Sequence, residues 1–129
     1  MSLHTIRTDA APAPRGHYSQ AVVHAGVVHV AGQLAIDPAT GNVEGTTAEA
    51  QADRTLRNLE AILHAAGSGL DLVLHLQVHV TAREDWPGVD AACRRHFGPH
   101  RPARAIVGGA VLREGCRVEM TATAALRTP

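Results

Sequence analysis

The sequence predicts an α+β domain in which two helices pack on one face of a single mixed sheet. Three observations predict it. Over residues 46–66, apolar side chains fall at Ala52, Leu56, Leu59, Leu63 and Ala66, the four-and-three spacing of one face of an amphipathic helix. The stretch "LHLQVHVT" (74–81) sets Leu74, Leu76, Val78 and Val80 against His75, Gln77, His79 and Thr81, the period-two alternation of a strand. Strand signals come first, then a helix, a strand, a second helix and two more strands, an order typical of α+β folds. With 129 residues, no internal repeat and no linker, the chain reads as one domain spanning 1–129.

In "AVVHAGVVHVAG" (21–32), two short β-branched runs flank Ala25-Gly26, which predicts a hairpin. "IDPATGN" (36–42) is dense in turn residues. Thr46 and Glu49 fit a capping box at the start of the first helix, and Gly67 fits its stop. Asp85 is placed to cap the second helix, where Trp86, Val89, Cys93 and Phe97 share a face before Gly98 ends it. After "PHRP", a strand starts at Ala103, turns at "LREG" (112–115) and returns as "CRVEMTATAAL" (116–126), a final hairpin.

Composition excludes several function classes. Twelve basic and twelve acidic residues balance, so no net charge draws the protein to nucleic acid or a membrane surface. Tyr18, Trp86 and Phe97 are the only aromatic side chains of their kind, few for stacking unpaired bases. No segment is apolar enough to span a bilayer, and the first residues lack a signal-peptide core, so a cytoplasmic location is expected. Cys93 and Cys116 are then expected to be free thiols.

Nine histidines raise the question of a metal site, but none is expected. His75 and His79 would lie about 13 Å apart along one strand, and His24 and His29 about 7–8 Å apart diagonally across the hairpin, too far to share one ion. Arg94, Arg95, Arg101 and Arg104 crowd into "CRRHFGPHRPAR" (93–104). A neutral chain with few aromatics favours a solvated helix end over a nucleic-acid patch.

Two helices cover only one face of a sheet, yet "VVHV" and "AIVGGAVL" are apolar at consecutive positions, as in strands covered on both sides. A second copy of the chain is the simplest cover, so a homo-oligomer is expected. Arg104 stands at the mouth of the second of these runs, where its charge needs a partner. Glu119 is one candidate, but a final hairpin folded at 113–114 would put it opposite Gly108, about 13 Å along the strand from Arg104.

Several stretches together resemble the RidA (YjgF/YER057c/UK114) family of small enamine/imine deaminases: "GHYSQAV" (16–22), "VAGQLAIDPATG" (30–41), the helix that follows, "HFGPHRPAR" (96–104) and "RVEM" (117–120). The resemblance spans nearly the whole chain in order. It implies a chorismate-mutase-like fold assembled as a homotrimer, with clefts between subunits that bind small carboxylates and use no cofactor. The implied activity is hydrolysis of 2-imino acids, such as 2-iminopropanoate and 2-iminobutyrate, to 2-keto acids and ammonia.

By the same resemblance, Arg104 takes the place of the arginine that grips the substrate carboxylate, a role its paired donors suit. Glu119 matches the glutamate that places the attacking water, Tyr18 a pocket tyrosine, and Gly32 a glycine beside the ligand. Ile106 would contribute its backbone, and Trp86 would either wall the cleft or join the core. There are departures: Ala31 stands where the deaminases usually carry serine, His17 replaces the proline of "GPY", and Thr121 stands where a second glutamate is common. The missing hydroxyl at Ala31 keeps open a trimer that binds small carboxylates or keto acids without turning them over. A ribonuclease or translation inhibitor is a third reading, disfavoured by the neutral charge.

Overall fold

A computed structural model of the chain describes residues 2–128. Its strands are β1 (His4–Ile6), β2 (Ala21–His24), β3 (Val27–Leu34), β4 (Val73–Val80), β5 (Ala103–Val107) and β6 (Val118–Ala125), and its helices are α1 (Ala48–Ala65) and α2 (Trp86–Phe97). The strands form one six-stranded sheet in the order β1-β2-β3-β6-β4-β5. Only β4 and β5 run parallel, so the sheet is mixed.

The β2–β3 hairpin turns at Ala25 and Gly26, with φ of 51° and 80°. Two successive positive φ values match the twist of a two-residue hairpin. Glycine takes that conformation freely, whereas Ala25 pays about 1–2 kcal/mol for it. β1 had no sequence signal, because three residues are too few to show a period.

α1 buries Ala52, Leu56, Leu59 and Leu63 as the periodicity requires, together with Ile62. Its cap lies one residue later than expected. Thr47, not Thr46, is the N-cap and accepts from the Ala50 N–H at 3.1 Å. Glu49 closes no capping box; its carboxylate bonds Arg95 on α2 instead. At α2, Asp85 occupies the N-cap position but caps nothing, since its carboxylate accepts from Arg117 at 3.0 Å. Val89, Ala92, Cys93 and Phe97 face the core, while Trp86 remains 44% exposed.

In β4, a bulge between Val73 and His75 changes the expected alternation. Val73, Leu76, Val78 and Val80 are buried, and Leu74 stays exposed. The expected final hairpin does not form. β5 pairs with β4 in parallel, as a strand returning through a helix must, and β6 inserts between β3 and β4. That central position gives both edges of β6 a hydrogen-bonding neighbour and buries Val118, Met120, Ala122 and Ala124 beneath the helices.

Three buried amides fasten loops to this core. Gln20 Nε2 donates to the Pro12 carbonyl at 2.9 Å. Gln51 Nε2 donates to the carbonyls of Gly45 and Gly115, and its Oε1 accepts from the Arg117 N–H. Asn58 Nδ2 donates to the carbonyls of Leu34 at 3.0 Å and Ile36 at 2.9 Å. Each amide satisfies backbone groups that would be costly to bury alone.

Among the described residues, no helix covers the other sheet face. By alternation with the buried set it carries His29, His75, Gln77, His79, Glu119, Thr121 and Thr123. The run "AIVGGAVL" is not one strand: β5 ends at Val107, and Val111 is 98% exposed.

Candidate functional site

Arg104 lies opposite Leu76 in the parallel β4–β5 pair, so it shares the helix-covered side of the sheet, at its edge. α2 runs beside it. Arg104 Nη1 donates to Asp90 Oδ1 at 2.9 Å, and Arg94 Nε donates to Asp90 Oδ2 at 2.9 Å. The partner of Arg104 is therefore Asp90, not the Glu119 that sequence reasoning considered. The β4–α2–β5 crossover brings Asp90 over the edge strand, whereas β6 lies beyond β4. The i,i+4 spacing of Asp90 and Arg94 was visible in the sequence as a helix pair; the contact with Arg104 was not.

These groups line a cleft of about 620 Å³ together with Leu76, Cys93, Phe97 and Arg101. The hydrogen bonds from Arg104 and then Arg94 hold the Asp90 carboxyl below the usual range. Burial pushes the Cys93 thiol up, with Arg104 opposing the shift. Burial works against the charge of Arg104, but its hydrogen bond to Asp90 and its contact with Cys93 outweigh it, so the guanidinium stays protonated. Ile106, opposite Val78 on the same side, is buried and packs in the core. Trp86, at the first turn of α2, is not buried by its own chain.

Glu119 occupies the uncovered face, opposite Leu34 on β3 and His79 on β4. Gly32 lies in the irregular part of β3 between Val30 and Gln33. A Cβ at Gly32 would sit 3.0 Å from Glu119 Cδ and 3.1 Å from Oε2, so this glycine makes room for the carboxylate. Its neighbour Ala31 donates its N–H to the Gln20 carbonyl at 2.9 Å. That bond runs the segment containing Tyr18 beside the irregular strand. Tyr18 is 52% exposed, and its hydroxyl accepts from the Arg15 N–H at 3.4 Å.

One chain thus brings the predicted residues together as two sets. Arg104 and Ile106 belong to the helix-covered side, and Gly32 and Glu119 to the opposite face. Arg104 and Glu119 are offset by three residues and two strand spacings, about 14 Å between backbones, and their side chains diverge.

The basic cluster is largely spent within the chain. Arg95 Nη2 donates to both carboxylate oxygens of Asp53, at 2.7 and 2.9 Å, and Arg95 also bonds Glu49. His96 lies 2.9 Å from Asp53. Burial, the largest single influence, pushes the Asp53 carboxyl upward, but Arg95 and His96 together outweigh it and hold the group below the usual range. With Arg94 and Arg104 both on Asp90, little of the cluster remains to meet a phosphate backbone.

The family described as Endoribonuclease L-PSP matches residues 8–126. The chain belongs to this family. Among its relatives, a RutC family protein of Pyrococcus abyssi is 35% identical over 124 residues, covering 96% of this chain and 98% of that protein. The rat protein named 2-iminobutanoate/2-iminopropanoate deaminase is 38% identical over 120 residues, covering 92% of this chain and 87% of its own. Several other relatives carry only the RutC family name. Two solved structures of the family give the same fold. RidA from a Psychrobacter species superposes with a TM-score of 0.91 at 36% identity, covering 95% of this chain and 99% of that one. TdcF of E. coli, solved with bound serine, gives a TM-score of 0.90 at 28% identity over 96% of this chain and 99% of its own. The RidA-type fold expected from the sequence is therefore the fold of this L-PSP family member. No described helix is long and apolar enough to cross a membrane.

Proposed function

We propose that this L-PSP family protein is an enamine/imine deaminase. It hydrolyses small 2-imino acids to 2-keto acids and ammonia in the cytoplasm, as a homotrimer with its sites between subunits. The observation that carries the reading is the cleft at Arg104. Asp90 takes one of the five guanidinium N–H donors, which leaves others free to receive a carboxylate in the bidentate manner that suits arginine. The name of the rat relative, at 38% identity, supports the reaction class.

Enamines tautomerise to imines, and imine hydrolysis then needs two things. The carboxylate must be held, and a water must be placed on the C=N carbon with its proton accepted. The water oxygen bonds to carbon as one water proton passes to Glu119 and the imine nitrogen takes up a proton, giving a neutral carbinolamine. Glu119 then returns its proton to the nitrogen, and the C–N bond breaks as the hydroxyl loses its proton to solvent, leaving the keto acid and ammonia. Arg104 is the grip and Glu119 the acceptor, in the space that Gly32 leaves. Because the two diverge from opposite faces of one sheet, a complete site takes Arg104 from one copy and Glu119 from its neighbour. Tyr18 and Ala31 would then line the Glu119 side, and Trp86 and the Ile106 backbone the Arg104 side. The uncovered sheet face is available to be buried in such an assembly.

Ala31 favours a second reading, a trimer that binds small carboxylates without hydrolysing imines, because alanine offers the ligand no hydroxyl. One experiment separates the two. Threonine dehydratase generates 2-iminobutyrate, semicarbazide competes for it, and keto-acid release is followed with wild type and with Arg104→Ala, after light scattering has established the oligomer. Wild type should accelerate release. Arg104→Ala should lose about 1.5–3 kcal/mol of charged hydrogen bonding, roughly 10- to 150-fold in kcat/KM. No acceleration by a trimeric wild type would reject the deaminase and leave the binding trimer.

A further inference from the structure

We infer that Asp90 sets which ligand charge the Arg104 cleft accepts. It holds the guanidinium by one corner and trims the local charge so that a 2-imino or 2-keto monocarboxylate fits and a dicarboxylate does not. The inference rests on the reading of Arg104 as the carboxylate grip.

The geometry is that of a shared anion. Asp90 Oδ1 accepts from Arg104 Nη1 and Oδ2 accepts from Arg94 Nε, both at 2.9 Å. The side chains of Arg104 and Asp90 are only 29% and 32% exposed, whereas that of Arg94 is 79% exposed. The inner pair is thus shielded and the outer arginine is in water. Asp90 projects from the middle of α2, one turn before Cys93, so a helix packed on the core fixes its position. Asp90 engages Nη1, and the Cys93 thiol, a weak acceptor that a carboxylate outcompetes, also touches the guanidinium, so the Nε–Nη2 edge of Arg104 can present two parallel donors to a second carboxylate.

The charges decide what that second carboxylate can be. Two arginines and one aspartate leave the trio with a single positive charge. A monocarboxylate neutralises it. A second carboxylate on the ligand would leave a net negative charge and would meet Asp90 at close range in a half-buried cleft, where like charges are weakly screened. The remaining arginine of the lining, Arg101, is exposed, and His100 is held by a 2.8 Å contact with the Val73 carbonyl. Neither lies in the ion-paired trio.

The test measures binding, so it does not depend on turnover. Dissociation constants for 2-oxobutyrate and 2-oxoglutarate are measured by calorimetry, in phosphate-free buffer, on the assembled protein. Wild type should prefer 2-oxobutyrate. Asp90→Asn keeps the shape and an acceptor oxygen, and should shift the ratio toward 2-oxoglutarate by roughly tenfold, the effect of one charge at about 6 Å in a dielectric of about 40. Asp90→Glu keeps the charge and should keep the preference. Arg94→Gln, at an exposed position, removes a positive charge and should shift the ratio the other way, so it decides the matter if Asp90→Asn fails to fold. Ratios unchanged in Asp90→Asn, or unchanged in Arg94→Gln, would overturn the inference while leaving the Arg104 grip intact. Binding of neither acid by wild type, or equal binding by wild type and Arg104→Ala, would remove the grip and the inference with it.

Discussion

Replacing Gly32 with alanine isolates the contact on which the proposed chemistry depends. The φ of Gly32 is not in the left-handed region, so alanine meets no backbone penalty there. Its Cβ would lie 3.0 Å from Glu119 Cδ, 3.1 Å from Oε2 and 3.4 Å from Cγ. Ordinary contacts between such atoms are about 3.5–4.0 Å, so the carboxylate must retreat by roughly half an ångström. The retreating group is the end of a flexible side chain, and a strained rotamer costs about 0.5–1.5 kcal/mol. The fold should therefore survive with a small drop in melting temperature. Catalysis should not, because misplacing a reacting group by about 1 Å can cost 10²-fold. In the semicarbazide competition assay, kcat should fall about 10- to 100-fold while KM stays within about threefold, since Arg104 is untouched. In a Glu119→Asp background the shorter side chain already stands back, so adding Gly32→Ala should cost little more, a non-additivity expected only of groups in contact. Wild-type kcat in a correctly assembled Gly32→Ala protein would refute the placement of Glu119 at the reacting centre.

Two further predictions concern the scaffold. Asn58→Ala should leave the buried carbonyls of Leu34 and Ile36 without their donor. At about 1–3 kcal/mol for each unsatisfied group, the melting temperature should fall by roughly 10 °C, and a fall under about 2 °C would show that water replaces the amide. Burial is the largest single influence on Asp53 and raises its pKa, but Arg95 and His96 together bind the charged form strongly enough to hold it below the usual carboxylate range. A depressed folded-state pKa contributes stability that is present above the unfolded value, about 3.9, and lost as pH falls through the folded one. The gap in melting temperature between wild type and Asp53→Asn should thus be open at pH 6 and close toward pH 3. A gap that does not change with pH would show that the contacts of Asp53 are steric.

Much of this protein is written in local patterns. The apolar face of α1, the Ala25-Gly26 hairpin and the stop at Gly67 follow from side-chain periodicity and backbone preference, which act over a few residues and so appear in the sequence. Local patterns also identified Arg104 as a charge in need of a partner. The family resemblance marked Gly32 and Glu119, and the resemblance was possible because the motifs that carry it are short and ordered.

What the tertiary structure alone decided is how separate segments meet. The alternation of "CRVEMTATAAL" was legible, but its insertion between β3 and β4 was not, because strand order depends on which pairings bury most surface and satisfy most backbone groups across the whole sheet. For the same reason Thr47 displaced Thr46 as the cap, and Glu49 and Asp85, both plausible capping residues, went to arginines distant in sequence, Arg95 on α2 and Arg117 just before β6. The partner of Arg104 lies fourteen residues earlier on a helix face, and only the β4–α2–β5 crossover brings it there. The divergence of Arg104 and Glu119 follows from that same topology, since a residue's face is set by its register in the sheet, and register is a property of paired strands that no single strand contains.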